Sequence, residues 1–332
     1  MNPLVGESKN LLTAGKVVGQ ITDPSDYRSE TAKRGEPDYV IGRSSLMEFA
    51  WCPKRWIDGY EGEETKATEW GDLLDCLFLT PWQFKSRYSV SPENYSSKGM
   101  ECPSCGSVTD SKTCRKCATA RIEVVIKKPW DKHAEYCSDW ELEQGSKKII
   151  KSKLFGPACD AVKVLEANPE VGGIRMVSKT QTMATASYFD DETGVTVPLK
   201  ILIDLLPQAD SIWGKALCDL KSSESAAMRP WRAKCKKYHY DAQAALYLDV
   251  WTATTGEDRT DFLHIVQESY SPYQTELRMM SAEFIEIGRA DYQKALKKYC
   301  QCLKTGIWPG YEGSHLDWRG WQLTEPEPWM VQ

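Results

Sequence analysis

Two short segments of this 332-residue chain decide the fold: KILIDLLP at residues 200–207 and ALCDLKSS at residues 216–223. Each is an apolar run of strand length that carries a carboxylate, Asp204 in the first and Asp219 in the second. Lys221 follows Asp219 by two residues, so on a strand both side chains point to the same side of the sheet. We therefore predict two neighbouring strands that bring two acids and one lysine together.

Carboxylates in an apolar sheet are costly unless a cation compensates their charge. Mg²⁺ prefers carboxylate oxygens and water as ligands, and a lysine beside it can hold or polarise a water molecule. Such a centre suits phosphodiester hydrolysis, because it activates water and neutralises the scissile phosphate. The alternative interpretation is a salt bridge between strand residues at the end of a sheet, since Asp-x-Lys is common by chance.

The rest of the chain alternates predicted helices and strands, which indicates a mixed α/β fold. Helices are predicted at 44–56, where Ser44 or Ser45 is the expected N-cap, and at 68–79. The remaining predicted elements are a strand at 121–128, a helix with breaks at 133–169, strands at 173–182, 184–191, 195–207 and 214–222, a helix at 238–256, a last strand at 260–269 and a helix at 282–306.

Composition excludes several classes of protein. The 42 Lys and Arg residues against 47 Asp and Glu give a net charge of −5, which excludes a basic coat of the histone kind. The sequence contains no run of the ~18 uncharged apolar residues that a membrane helix needs, so no membrane partner is expected. Residues 1–10 do not resemble a secretory signal, and most of the twelve cysteines lie singly among apolar residues, so we expect a cytoplasmic protein.

Several segments together resemble the PD-(D/E)XK nuclease superfamily, and within it the RecE-like exodeoxyribonucleases of phage and prophage recombination systems. The resemblance covers about residues 41–270 and implies a restriction-endonuclease-like core, a central mixed sheet flanked by helices. The matching segments are the helix at 44–56, WGDLLDCLFLTP at 70–81, the two strands quoted above and KKYHYDAQAALYLDVW at 236–251. The last resembles the group's Tyr-x-Tyr-x-x-Gln-Ala-Ala-x-Tyr helix.

The resemblance also implies roles for residues of the two strands. Asp204 and Asp219 become ligands of Mg²⁺ or Mn²⁺, the carbonyl of Leu220 becomes a further ligand, and Lys221 becomes the catalytic lysine.

Two helices are implied to complete this centre. Gln243 and Tyr247 lie four residues apart on one helix face and would line the site, with ordinary helix packing as the alternative. Asp75 falls where the RecE-like group has histidine and would be a metal ligand, although Asp72, one turn away, could replace it.

A cysteine quartet interrupts the nuclease segments at residues 102–117, which read CPSCGSVTDSKTCRKC. The spacing C-x2-C-x8-C-x2-C is typical of tetrahedral zinc thiolate sites, and an iron–sulfur cluster is the alternative. We predict a structural Zn²⁺ bound by Cys102, Cys105, Cys114 and Cys117, within a zinc-ribbon-like insertion. A further role in DNA or subunit contact is left open.

Basic residues cluster in two runs, SKKIIKSK at residues 146–153 and RPWRAKCKK at residues 229–237, and charge of this kind suits contacts to DNA phosphates. The run RPWRAKCKK, directly after the Asp-x-Lys strand, supplies Arg229, Arg232, Lys234, Lys236 and Lys237. Arg43 with Ser44 and Ser45 could hold a terminal 5′-phosphate at the start of the first helix. The alternatives are a solvated charged face for the run and simple helix capping for the serines.

The predicted organisation is a loosely ordered arm at 1–40, a nuclease domain at 41–310 interrupted by the zinc insertion at 98–120, and a tail at 311–332. We expect a Mg²⁺-dependent 5′-to-3′ exonuclease acting on double-stranded DNA. The alternatives are a flap or single-strand nuclease of the CRISPR-adaptation type and a non-catalytic DNA-binding module. The resemblance further implies a ring-shaped homo-oligomer, a single-strand annealing protein as partner and a phage origin, hence the host cytoplasm.

Overall fold

The computed structural model describes residues 12–21, 26–27, 32–60, 65–131 and 133–311. Its chain divides into two compact units, one formed by residues 1–65 with 167–332 and the other by residues 66–166. The predicted C-terminal tail lies outside the described residues apart from Tyr311. Among the helices described, none is long and apolar enough to cross a membrane.

The helices and strands are numbered here in chain order. They are β1 Leu12–Gln20, β2 Ile41–Gly42, α1 Arg43–Trp51, α2 Pro53–Ile57, α3 Lys66–Leu79, α4 Phe84–Arg87, β3 Tyr88–Ser91, β4 Asn94–Glu101, β5 Val108–Thr109, β6 Ile122–Pro129, α5 Glu135–Glu143, β7 Lys148–Lys151, α6 Ser152–Ala167, α7 Pro169–Met176, β8 Ser178–Asp190, β9 Val195–Pro207, β10 Ala216–Ser223, α8 Met228–Lys237, α9 Tyr240–Thr255, β11 Asp261–Glu268, β12 Thr275–Met279 and α10 Ala282–Thr305.

The first unit is built on a seven-stranded mixed sheet. Its strand order is β1-β8-β9-β10-β11-β12, and β2 pairs with β9 outside this path. The β10–β11 and β2–β9 pairs are parallel, and the other pairs are antiparallel. Helices α9 and α10 pack against each other and against strands of the sheet. The predicted architecture, a mixed sheet flanked by helices, is confirmed.

The central strand β9 shows why this segment forms a strand and how it presents its carboxylate. Its alternate residues are almost fully buried, as expected for a face of period two: Val197, Leu199, Ile201, Ile203 and Leu205. Asp204 therefore lies on the opposite face from these side chains. Hydrophobic burial fixes the register of the strand, because a slip by one residue would turn Asp204 into the core.

Helix α9 is buried on nearly all sides, because apolar residues are distributed around its whole circumference and the polar residues Asp241 and Gln243 are buried among them. Close packing with α10 depends on Gly288, because a Cβ there would lie 2.1 Å from the backbone carbonyl of Asp241. The close approach of the two helices holds α9, and thereby its polar residue Gln243, in a fixed position in the first unit.

The second unit contains two small sheets. Strands β3 and β7 form a parallel pair, and the order β5-β4-β6 makes a three-stranded antiparallel sheet. The cysteine quartet lies in the segment between β4 and β6. Helix α3 begins this unit, with Trp70, Leu73, Leu74 and Phe78 among its buried residues.

Several predicted elements differ from the structure. Residues 148–151 form β7 rather than helix, because they pair with β3, sixty residues away in sequence. Residues 169–176 form α7, where Asn168 caps the helix by accepting hydrogen bonds from two backbone amides. The strand predicted at 260–269 is not the last, since β12 follows it at the sheet edge.

Two further differences lie on the N-terminal side of the chain, before and at the start of the predicted nuclease domain. Leu12–Gln20, expected in a loosely ordered arm, form β1 and pair with β8. Neither Ser44 nor Ser45 caps α1, which begins at Arg43 with Gly42 at the N-cap and no side-chain cap hydrogen bond.

Candidate active site

The structure brings Asp204, Asp219, Lys221 and Gln243 into one cluster in the first unit. Strands β9 and β10 pair at Leu205 and Cys218, so the residues next to this pair, Asp204 and Asp219, face each other across the two strands. Lys221 Nζ lies 2.5 Å from Asp219 Oδ2. The other oxygen of Asp219 accepts a hydrogen bond of 2.6 Å from Gln243 Nε2.

Both oxygens of Asp204 are held by hydrogen bonds. The backbone amide of Leu220 donates to Oδ2 at 2.9 Å, and Gln181 Nε2 donates to Oδ1 at 3.0 Å. Gln181 lies opposite Asp204 on β8, between the pairs Thr180–Leu205 and Thr182–Ile203, with a positive φ of 50°. Gln181 is not recognisable as a site residue from its sequence context, because only the strand register places it beside Asp204.

The electrostatics of this cluster favour a divalent cation. Burial and the neighbouring charge of Asp219 raise the pKa of Asp204 to about 7, although Lys221 opposes them. Burial lowers the pKa of Lys221, but the charges of Asp219, Tyr240 and Asp204 together outweigh burial and raise that pKa, so the lysine is cationic. Two neighbouring carboxylates that repel each other, Asp219 buried and Asp204 partly buried, fit a hard divalent ion, for which oxygen ligands are preferred.

Asp75 and Asp72, the alternative predicted ligands, both lie on α3 in the second unit, where each is half-buried. That one of them completes the metal centre stays a prediction, as does the ligand role of the Leu220 carbonyl.

Gln243 connects Asp219 to Arg43, the residue predicted to contact a 5′-phosphate. Arg43 Nη2 donates to Gln243 Oε1 at 3.1 Å, and its Nη1 donates to the backbone carbonyl of Tyr238 at 3.1 Å. These contacts fix the orientation of the amide, whose nitrogen donates to Asp219. Tyr247 lies one turn further along α9, where its hydroxyl contacts Tyr27 and burial raises its pKa.

The two serines after Arg43 have different surroundings. Ser45 Oγ accepts a hydrogen bond of 2.8 Å from Trp56 Nε1 and lies 3.1 Å from the hydroxyl of Tyr39. These contacts favour a structural role for Ser45. Ser44 is exposed.

The predicted basic run forms helix α8, and its five cations are in different environments. Lys234 Nζ donates to the carbonyl of Ser222 at 2.7 Å. Lys236 Nζ lies 3.1 Å from the buried carboxylate of Asp241 and 2.6 Å from the partly exposed carboxylate of Asp291, so two acids already neutralise its charge. Arg229, Arg232 and Lys237 are exposed, as is Lys236 despite its two acidic partners.

His264 is a further residue of the cluster that no local sequence pattern indicates. It is fully buried on β11, paired in register with Asp219, with its Nε2 at 4.0 Å from Asp219 Oδ2. Burial lowers the pKa of His264 to about 3, so the ring is neutral, and neither nitrogen has a hydrogen-bond partner among the described residues. The imidazole ring packs against the aromatic rings of Trp231, Tyr240 and Phe262.

The cysteine quartet of the second unit forms a separate metal-binding cluster. The ligand sulfurs of Cys102, Cys105, Cys114 and Cys117 lie within 4.8 Å of one another. Backbone amides of Cys117 and Lys116 lower the pKa of the Cys114 thiol to about 6, which favours the thiolate that zinc needs. Four converging thiols fit a tetrahedral Zn²⁺ and leave the iron–sulfur alternative open.

A mixed sheet with acids on adjacent strands, and a lysine two residues after the second acid, defines the PD-(D/E)XK nuclease class of fold. Residues 42–316 match the family described as PDDEXK-like domain of unknown function (DUF3799), and the chain belongs to this family. The recognition of a PD-(D/E)XK chain from sequence is thereby confirmed.

Two solved structures are similar to this chain. A "Putative exonuclease" from Eubacterium rectale is 15% identical, with a TM-score of 0.49 over 88% of this chain and 92% of that chain. Rai1 from Scheffersomyces stipitis is 9% identical, with a TM-score of 0.27 over 94% of this chain and 88% of that chain. A search of curated proteins found no match.

Proposed function

We propose that this chain is a Mg²⁺- or Mn²⁺-dependent deoxyribonuclease that degrades double-stranded DNA from its ends in the 5′-to-3′ direction. Family membership supports a nuclease, and the observation that carries the proposal is the convergence of Asp204, Asp219 and Lys221 in one buried cluster. A salt bridge alone would not need a second carboxylate beside the first, held in place by two hydrogen bonds.

Asp204 and Asp219 would hold the divalent ion, which supplies neutralisation of phosphate charge and a lowered pKa of bound water. Hydrogen bonds from Gln181 and Leu220 orient the Asp204 carboxylate, and the bond from Gln243 orients that of Asp219. Lys221 carries a positive charge at the same place and would position the attacking water while offsetting charge on the phosphate. The protein thus fixes its donors before substrate binds.

The substrate is proposed from the cations near this cluster. Arg229, Arg232 and Lys237 are exposed on α8, which follows the strand of Lys221 after a short loop. Contacts of this kind to phosphates carry no sequence information, which suits an enzyme that moves along DNA. Arg43, already fixed by Gln243, is proposed to receive the terminal 5′-phosphate.

The test is digestion of a linear duplex labelled at one 5′ end, alongside its circular form, in Mg²⁺ and in EDTA. We expect Mg²⁺-dependent release of the label from the linear DNA only. Asp219→Asn and Lys221→Ala should each lower the rate by about 10²–10³-fold and leave DNA binding intact. Asp210→Asn, an exposed carboxylate outside the cluster, is the matched control and should keep full activity.

Each outcome decides between the proposed activities. If the circular DNA is cut as readily as the linear DNA, exonuclease action is refuted but a nuclease function is retained. A preference for flapped or single-stranded DNA would favour the CRISPR-adaptation type. DNA binding with no hydrolysis in either divalent ion would favour the non-catalytic module. A ring-shaped homo-oligomer, an annealing protein as partner and a cytoplasmic location are proposals from the family resemblance alone.

A further inference from the structure

An exposed aromatic ring lies close to the candidate active site. Tyr238, between α8 and α9, is 44% exposed, and its ring stacks on Tyr240 with centroids 5.9 Å apart and planes at 25°. The ring of Tyr240 is itself buried, and Lys221 Nζ lies 5.2 Å from its centroid. The ring of Tyr240 therefore neighbours both the exposed ring and the candidate catalytic ammonium.

The backbone holds Tyr238 in place. Its carbonyl accepts a hydrogen bond of 3.1 Å from Arg43 Nη1, and its amide donates to the carbonyl of Lys234 at 3.0 Å. The next residue, His239, has a left-handed φ of 55°, which forms the sharp turn into α9. An exposed tyrosine fixed in this way loses little entropy when a ligand stacks on it.

Positive charge flanks the same ring. Lys237 Nζ lies 5.2 Å and Lys234 Nζ 5.8 Å from the centroid of Tyr238. Aromatic faces accompanied by cations are the combination with which proteins bind unpaired nucleotides, because bases stack on the ring while phosphates meet the charge. If Tyr238 served only to pack against Tyr240, neither its fixed backbone nor the two flanking lysines would be needed.

We propose that Tyr238 is a stacking platform for one unpaired nucleobase of the strand being cleaved, next to the phosphate at Asp204 and Asp219. This subsite rests on the proposed nuclease function and adds a substrate requirement to it: the end of the strand is unpaired before hydrolysis. The base stacks on the part of the Tyr238 ring that Tyr240 leaves uncovered, and Lys237 contacts a neighbouring phosphate.

The test measures binding of the full-length protein, with Ca²⁺ in place of Mg²⁺, to a duplex with a short single-stranded 5′ end. One version carries 2-aminopurine as an unpaired base, and another carries an abasic site at that position. The wild type should bind the 2-aminopurine DNA about 5- to 150-fold more tightly than the abasic DNA. Binding should also quench the 2-aminopurine fluorescence, since stacking is what quenches it.

Tyr238→Ala should remove both the preference and the quenching, whereas Tyr238→Phe should keep them. Tyr270→Ala, at a tyrosine that is 65% exposed elsewhere on the unit, is the matched control and should behave as wild type. Equal affinity of the wild type for the two DNAs, or quenching that survives in Tyr238→Ala, would overturn the platform. If Tyr238→Ala fails to fold, equal affinity of the wild type for the two DNAs would still overturn the platform.

Failure of this proposal is distinguishable from failure of the nuclease function. If Asp219→Asn loses hydrolysis but the wild type binds the two DNAs equally, the nuclease function stands and the stacking platform is refuted. Unaltered hydrolysis in Asp219→Asn would remove the proposed active site and, with it, the subsite that depends on it.

Discussion

His264 gives a prediction whose size follows from the structure. Burial lowers its pKa from 6.5 to about 3, although the charge of Asp219 opposes this shift. Between these two pH values the unfolded chain binds a proton that the folded chain does not, so folding stability falls as the pH drops below 6.5. Each pH unit in this range costs about 1.4 kcal/mol. Lowering the pH from 7 to 5 should therefore cost about 2 kcal/mol through this residue alone.

The measurement is urea unfolding at pH 7 and pH 5 in a buffer without divalent cations. His264→Phe keeps an aromatic ring among Trp231, Tyr240 and Phe262 but removes the titration. Between pH 7 and pH 5, the free energy of unfolding should decrease in both proteins, but the decrease should be about 2 kcal/mol smaller in His264→Phe than in the wild type. His133→Phe, at an exposed histidine, is the control and should follow the wild type. Equal pH dependence of wild type and His264→Phe would refute the neutral, buried histidine.

Three other substitutions test the contacts that support the sites. Gln181→Leu removes a charge-assisted hydrogen bond to Asp204, worth about 1.5–3 kcal/mol. Titration of nuclease activity with Mg²⁺ should therefore show weaker ion binding in this variant, whereas the exposed control Lys179→Leu should bind the ion as the wild type does. Unchanged ion binding in Gln181→Leu would contradict the role of Gln181. Lys236→Met leaves the buried carboxylate of Asp241 without its ammonium and should cost about 1–3 kcal/mol in urea unfolding, because the lysine itself is half exposed. The exposed Lys294→Met should cost little, and equal midpoints for the two variants would count against this contact. Cys114→Ser should abolish the one equivalent of zinc that metal analysis is expected to find, while Cys159→Ser keeps it, and retained zinc in Cys114→Ser would exclude the quartet as its ligands.

The sequence was sufficient for the parts of the fold and site that depend on local pattern. Strand β9 was predicted with the bounds it has, because its apolar residues alternate over a long segment between clear breaks. Asp219 and Lys221 share a face for the same local reason. Strand β7 has four residues and no period of its own, so only its pairing with β3 makes it a strand.

The missed site residues depend on register across strands, which no local pattern contains. Gln181 reaches Asp204 because β8 and β9 pair in one register over most of their length. His264 lies beside Asp219 because β10 and β11 are parallel and in step from Ala216 to Ser223. In a β-rich site, the residues that bear charge are visible in the sequence, whereas those that orient them become visible only when the sheet is assembled.

The chemistry of the amide explains why residue 243 suits its position better than an acid would. A glutamine side chain donates through its nitrogen and accepts through its oxygen, so Gln243 can bind the anion Asp219 and the cation Arg43 at once. A carboxylate in its place would accept from Arg43 but add a third negative charge beside Asp204 and Asp219. Gln243 is 2% exposed, and its amide nitrogen and oxygen are both hydrogen-bonded. The carboxylate of Asp219 is therefore oriented by a neutral amide, and the charged guanidinium of Arg43 fixes the orientation of that amide.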